Sequence, residues 1–208
     1  MDQILLIFQI IVFIFSVMVH EISHGAVALK LGDDTAKKEG RLTLNPLKHI
    51  DPIGSVILPL FLIVSRSPFI IGWAKPVPID PRNLKNPRTD AGLIGAAGPL
   101  SNFFLAIVFG VFIRILTISG SANVNALIDL LSVIVFTNLI LGIFNLVPLP
   151  PLDGSSVLFA ILPQAWSGIR LFLLRYGFWI LLFFVFFGFQ FLAPIIISLF
   201  RLITGITS

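Results

Sequence analysis

Four stretches of the chain run almost without polar interruption: QILLIFQIIVFIFSVMV from Gln3, then Leu93 to Ile118, Ala126 to Val147, and Tyr176 to Phe200. A helix rises about 1.5 Å per residue, so about 20 apolar residues cross the ~30 Å hydrocarbon core of a bilayer. Each stretch therefore predicts a membrane-spanning helix. The first has neither a basic leader nor a small-residue cleavage site and runs straight into HEISHGAVALKLG. It is expected to be a retained helix rather than a signal peptide.

Between the first two stretches, Gly32 to Arg88 is mixed and rich in Pro, Gly and charge. Its weaker apolar run, PIGSVILPLFLIV within residues 52–71, is short, interrupted by Pro59 and basic on both flanks. A full crossing would strand positive charge on the wrong side, so the run predicts a re-entrant or horizontal segment. The alternation in GRLTL and the IIGWAKPVPID stretch predict short strands flanking it, with prolines marking edges. The expected fold is an all-α polytopic membrane protein: about four transmembrane helices, with the re-entrant piece and short strands between the first two. No repeat or linker divides the chain. Residues 1–208 are expected to form one membrane-embedded domain, with a core over about 1–155 and a gating helix region over about 156–208.

Composition agrees, with 57% hydrophobic and 12% charged residues and a mean hydropathy of +1.03, far from the balance of a soluble domain. The formal charge of +4 does not point to nucleic acid, because the basic residues are dispersed between apolar blocks. They report topology instead. Lys30, Lys37, Lys38, Arg41 and Lys48 precede the re-entrant run and Arg66, Lys75, Arg82, Lys85 and Arg88 follow it, whereas SGSANVN between the second and third spans has none. The basic loop is expected to be cytoplasmic, with the amino terminus outside and the HEISH end of the first helix toward the cytoplasm. Arg170 and Arg175 agree with that orientation.

The absence of cysteine removes disulfides, thiolate ligands and a cysteine nucleophile, so any metal must sit on nitrogen and oxygen. His20 and His24, four apart on a helix, share a face and can offer imidazole nitrogens to one zinc ion. Glu21, rotated about 100° from His20, is poised as a general base that takes a proton from water and returns it to a leaving amine. Three ionisable groups in five positions near membrane depth cost about 2.5–3.5 kcal/mol each on insertion scales, so they need a compensating partner such as a metal. A catalytic zinc takes three protein ligands. Asp153, in NLVPLPPLDG at the cytoplasmic end of the third span, is the best third candidate. Asp33, Asp34, Glu39, Asp80 and Asp90 fall in the basic loop, Asp51 heads the re-entrant run, and Asp129 lies toward the opposite face.

HEISH, GPLSN and NLVPLPPLDG, in that order on three successive membrane segments, resemble the site-2 protease family of intramembrane metalloproteases. The resemblance implies His20, His24 and Asp153 as ligands of one zinc and Glu21 as catalytic base. It also implies an active-site place for Asn145, whose amide is suited to hold a substrate backbone or developing oxyanion. In GPLSN the small residues suit close helix packing, and the resemblance alone brings Asn102 near the site. Members implied by the resemblance cut transmembrane protein substrates within the bilayer, often in regulated intramembrane proteolysis. This chain looks like a compact form without PDZ or CBS domain. His49 is read as a loop histidine. A proton or cation relay through the same residues would need paired repeats or broken helices, which the sequence does not display, and a silent zinc scaffold would not need Glu21. An extended substrate could pair with GRLTL or KPVPI as an added strand.

Overall fold

The computed structural model describes residues 3–65, 74–118 and 124–206. Helix α1 (Gln3–Leu31) is followed by one helical turn, α2 (Thr35–Lys38), and the short α3 (Leu58–Val64). Two long helices come next, α4 (Pro87–Ile118) and α5 (Asn125–Asn145). The chain closes with α6 (Asp153–Ile161), α7 (Ser167–Phe183) and α8 (Phe189–Thr204). Among the described residues, four helical stretches are long and apolar enough to cross a membrane: Gln3–Leu31, Pro87–Ile118, Asn125–Asn145 and Gln164–Gly188. Their outward residues, such as Ile4, Phe104, Ile115 and Trp179, are large, apolar and exposed, as a lipid-facing surface requires.

The first three spans fall where the apolar pattern places them. The fourth differs. Its helix starts before Tyr176, at Ser167, and passes through a widened helical turn over Phe184–Gly188, so that α7 continues into α8 as far as Thr204. Hydropathy alone marks no boundary there. The polypeptide from Pro52 to Ile57 forms a widened turn leading into α3. Together these 13 residues reach about 20 Å at helical rise, short of the ~30 Å core. The end of that expected re-entrant run, from residue 66, lies outside the described residues.

The expected strands are not found: among the described residues there is no β-strand. The physical reason is a shortage of free backbone groups. Pro76, Pro78 and Pro81 have no N–H to donate. The carbonyls of Lys75 and Pro76 accept from the Arg41 guanidinium at 2.7 and 3.3 Å, and the Val77 N–H donates to the Glu21 carboxylate. Among the described residues of this stretch, only the Lys75 N–H reaches a main-chain partner across the loop, the His49 carbonyl at 2.8 Å. Residues 70–73 of the second expected strand lie outside the described residues.

Helix α4 is the centre of the bundle, packing against α1, α5, α6 and α8. Small residues allow this. A Cβ on Gly92 would lie 2.3 Å from that of Ala160 in α6, and one on Gly110 would lie 2.2 Å from Ile203 in α8. The second half of α4 joins α5 and α8 in an apolar core of Ala106, Ile113, Val135, Leu139, Ile196 and Phe200, where the Phe136 and Phe200 rings stack at 4.1 Å. The first half packs differently. There the buried side of α1 carries Ser16, His20, His24 and Ala28 at four-residue intervals, so polar groups enter the bundle along one stripe. Helix α1 stops at Gly32, whose φ of +112° favours glycine. The Asp33 N–H then closes onto the Ala28 carbonyl and the Gly32 N–H onto that of Leu29, the paired closure of a Schellman motif.

Candidate metal centre

His20 and His24 stand one turn apart on α1, both 6% exposed, with rings edge to face at 4.7 Å between centroids. Asp153 arrives from far along the chain. Helix α5 ends at Asn145, the turn-rich segment LVPLPPL reverses direction, and Asp153 is the first residue of α6. The reversal is tight, because a Cβ on Gly154 would lie 2.2 Å from the Leu146 carbonyl oxygen. A carboxylate in the first turn also suits the positive end of a helix. Asp153 Oδ2 lies 2.9 Å from His20 Nε2 and 3.3 Å from His24 Nε2. The candidate ligand atoms of all three residues fall within 4.8 Å of one another.

The far side of each imidazole shows what those nitrogens carry. His24 Nδ1 is 2.6 Å from the main-chain carbonyl of Ile94, which can only accept, so Nδ1 donates. His20 Nδ1 is 2.6 Å from Asn102 Oδ1 and donates likewise. In a neutral imidazole the remaining nitrogen, Nε2, then presents a lone pair. Two lone pairs and a carboxylate oxygen thus converge, and among the described residues Asp153 Oδ2 is buried without a hydrogen-bond donor. Facing acceptors need a positive centre between them. Zinc bonds of about 2.0–2.1 Å in tetrahedral array separate neighbouring donor atoms by about 3.3 Å, close to the 2.9 and 3.3 Å seen here. Gly98 of α4 leaves the necessary space: a Cβ there would lie 2.4 Å from His24 Nε2 and 2.5 Å from His20 Nε2. The residues fit a nitrogen- and oxygen-bound divalent ion. The Asp153 side chain, 23% exposed, marks the open side of the cluster.

Glu21, between the two histidines in sequence, turns its Oε2 to the Val77 N–H at 2.8 Å. Asn145 is not joined to the cluster by a hydrogen bond among the described residues; its Nδ2 donates to the Leu141 carbonyl at 2.9 Å within its own helix. His49 is a buried loop histidine whose Nε2 meets the Thr43 carbonyl at 2.9 Å. Asn102 does more than pack, since its oxygen receives His20. Gly98 is the glycine of GPLSN, where the sequence suggests close helix packing rather than space for an ion, and the Ile94 carbonyl carries no sequence signal of such a role.

Residues 110–185 match peptidase family M50. Over 161 residues the chain is 41% identical to YwhC of Bacillus subtilis, covering 75% of this chain and 69% of that protein. This chain belongs to peptidase family M50. It is also 30% identical over 145 residues to Rip2 of Mycolicibacterium smegmatis, covering 70% of this chain and 53% of Rip2; YwhC and Rip2 are both named as zinc metalloproteases by inference. The zinc metalloprotease MJ0392 of Methanocaldococcus jannaschii is 32% identical over 167 residues, covering 79% of this chain and 38% of that protein. The chain spans about half the length of the mycobacterial relative. No solved structure matches the chain significantly. As an M50 peptidase it is a metalloprotease, and its four apolar helices make it a multi-pass membrane protein.

Proposed function

We propose that this M50 peptidase is an intramembrane zinc protease that hydrolyses peptide bonds in or beside the transmembrane segments of other membrane proteins, in regulated intramembrane proteolysis. One observation carries the reading: His20 Nε2, His24 Nε2 and Asp153 Oδ2 converge as acceptors with no donor among them. These three residues would hold one zinc ion. When bound, zinc supplies Lewis acidity, polarising the scissile carbonyl and acidifying water.

The chain's own groups do the rest. Glu21, oriented through Oε2 by the Val77 N–H, keeps Oε1 to take a proton from the attacking water and to deliver it to the leaving amine. Asn145 has a second amide N–H beyond the one given to Leu141, and that donor suits a substrate carbonyl or its developing charge. Low exposure of both histidines keeps the site's dielectric low, which strengthens such contacts. Basic residues concentrated between α1 and α4 support an orientation with the amino terminus outside and the site toward the cytoplasmic side. Region 156–208, containing α7 and α8, would govern lateral entry of a substrate helix.

The test compares the purified wild type with Glu21→Gln, measuring bound zinc and cleavage of a transmembrane substrate. Zinc retained with cleavage lost supports the reading. Cleavage undiminished in Glu21→Gln, or a wild type that binds no zinc, ends it.

A further inference from the structure

Behind His20 a chain of buried polar groups crosses three helices. Asn102 on α4 and Asn138 on α5 are fully buried, and Ser16 on α1 is 4% exposed. Asn138 Nδ2 donates to Ser16 Oγ and to the Ile134 carbonyl, both at 2.9 Å. Asn138 Oδ1 accepts from Asn102 Nδ2 at 2.9 Å, and Asn102 Nδ2 also approaches the Ser16 carbonyl at 3.3 Å. Asn102 Oδ1 then accepts from His20 Nδ1 at 2.6 Å.

The direction of this chain is forced. Main-chain carbonyls only accept. The Ile134 carbonyl therefore requires the nitrogen of Asn138, which leaves its oxygen facing Asn102. That oxygen and the Ser16 carbonyl both require the nitrogen of Asn102, which leaves its oxygen facing His20. A hydrogen must then sit on His20 Nδ1, and Nε2 is left bare toward Asp153. Reversing either amide would set oxygen against oxygen in a buried site, where an unsatisfied polar group costs about 1–3 kcal/mol.

We infer that Asn138 is a positioning residue for the metal centre: among the described residues it hydrogen-bonds to Asn102, Ser16 and Ile134 and to none of the three candidate ligands, yet through Asn102 it fixes which nitrogen of His20 is protonated. Its amide sets the acceptor–donor order of the network, and the network sets the tautomer that lets His20 bind a cation through Nε2. The inference rests on the zinc-protease reading for its purpose, but not for its geometry. Partners that orient a ligating histidine typically change metal affinity by about 10–100-fold when lost.

The experiment uses the full chain in detergent micelles with ¹⁵N-labelled histidine. Only three histidines are present, so His24→Gln and His49→Gln assign the spectrum. In metal-free wild type above the titration range of imidazole, His20 is expected as the single Nδ1–H tautomer. Asn138→Leu removes the acceptor facing Asn102; it should add an Nε2–H population of His20 and weaken zinc binding, measured against a competing chelator, by about 10–100-fold. Asn138→Asp, neutral in this buried site, still offers a carbonyl oxygen to Asn102 and should keep the wild-type tautomer and an affinity within a few-fold.

An unchanged tautomer in Asn138→Leu overturns the inference, whether zinc affinity holds or falls equally in both variants, because packing alone would then explain any loss. Should neither variant fold, the wild-type spectrum decides: an Nε2–H on His20 overturns it. A wild type with the expected tautomer but no zinc binding would defeat the zinc-protease reading and leave the positioning role standing.

Discussion

The Val77 main-chain N–H donates to Glu21 Oε2 at 2.8 Å, tying the extended segment after the central loop to the acidic residue between the two histidines. That segment is itself held in place by the buried Arg41 through the Lys75 and Pro76 carbonyls. A hydrogen bond to a charged group contributes about 1.5–3 kcal/mol. Val77→Pro removes the donor and should lower kcat by roughly 10–100-fold if that contribution is lost in the transition state, with zinc content unchanged. Val77→Ala keeps the N–H and should retain most activity. Steady-state cleavage of a transmembrane substrate, paired with metal analysis, distinguishes the two; equal activity in both variants would remove Val77 from the mechanism.

Gly98 should tolerate no side chain. A Cβ would sit within 2.5 Å of both Nε2 atoms, inside any contact distance and in the space a cation must share. Gly98→Ala is expected to reduce zinc occupancy to near background while α-helical content by circular dichroism stays the same. A Gly98→Ala protein with full zinc would show that the metal lies elsewhere.

Loss of charge at Asp153 should act on the metal before it acts on the fold. Asp153→Asn preserves shape but replaces the anionic oxygen that faces both histidines. Zinc affinity should fall at least tenfold, and chelator treatment of wild type should abolish cleavage that added zinc restores. Chelator-resistant cleavage would contradict this.

Acid should loosen the loop between α1 and α4 first. Burial pushes the Asp33 carboxyl up, but hydrogen bonds from Asn83, Thr35 and the Asp80 N–H outweigh it and hold it below the usual carboxylate range. Arg82 holds the half-buried Asp80 at about 2. A carboxylate depressed in the folded state contributes stability above its unfolded value, about 3.9, and loses it as pH falls below that value. Melting temperature in micelles should therefore decline below about pH 4, and Asp33→Asn should lower it at neutral pH and flatten that decline. An identical pH profile in wild type and Asp33→Asn would refute the role of this node.

How far the sequence carries the argument depends on whether a feature is local. His20 and His24 are four apart, and helical periodicity alone brings them to one face. Asp153 follows from topology, since a reversal after the third span returns the chain to the level of HEISH. The hydrogen bond from His20 to Asn102 depends on the rotation of α4 against α1, which no spacing encodes, and Asn138 carries no pattern at all. The strands expected at GRLTL and KPVPI fail for a local reason that was available: a segment with Pro76 and Pro78 has too few N–H groups for a ladder. The widened turn within the last apolar run is marked only by Gly188, a weak sign in an unbroken hydrophobic stretch.

Helix α4 offers no side chain to the histidine and aspartate cluster, yet it supplies the Ile94 carbonyl, the void at Gly98 and the Asn102 oxygen, while its far half packs with α5 and α8 in an apolar core. The two halves of one rod are thus secured by unlike chemistry. By linkage, an ion that binds only the assembled histidine and aspartate set also cements α1 and α6 onto α4. Stripping that ion would slacken one end of the bundle and leave the other shut, turning metal occupancy into a local control on how tightly the helices are fastened.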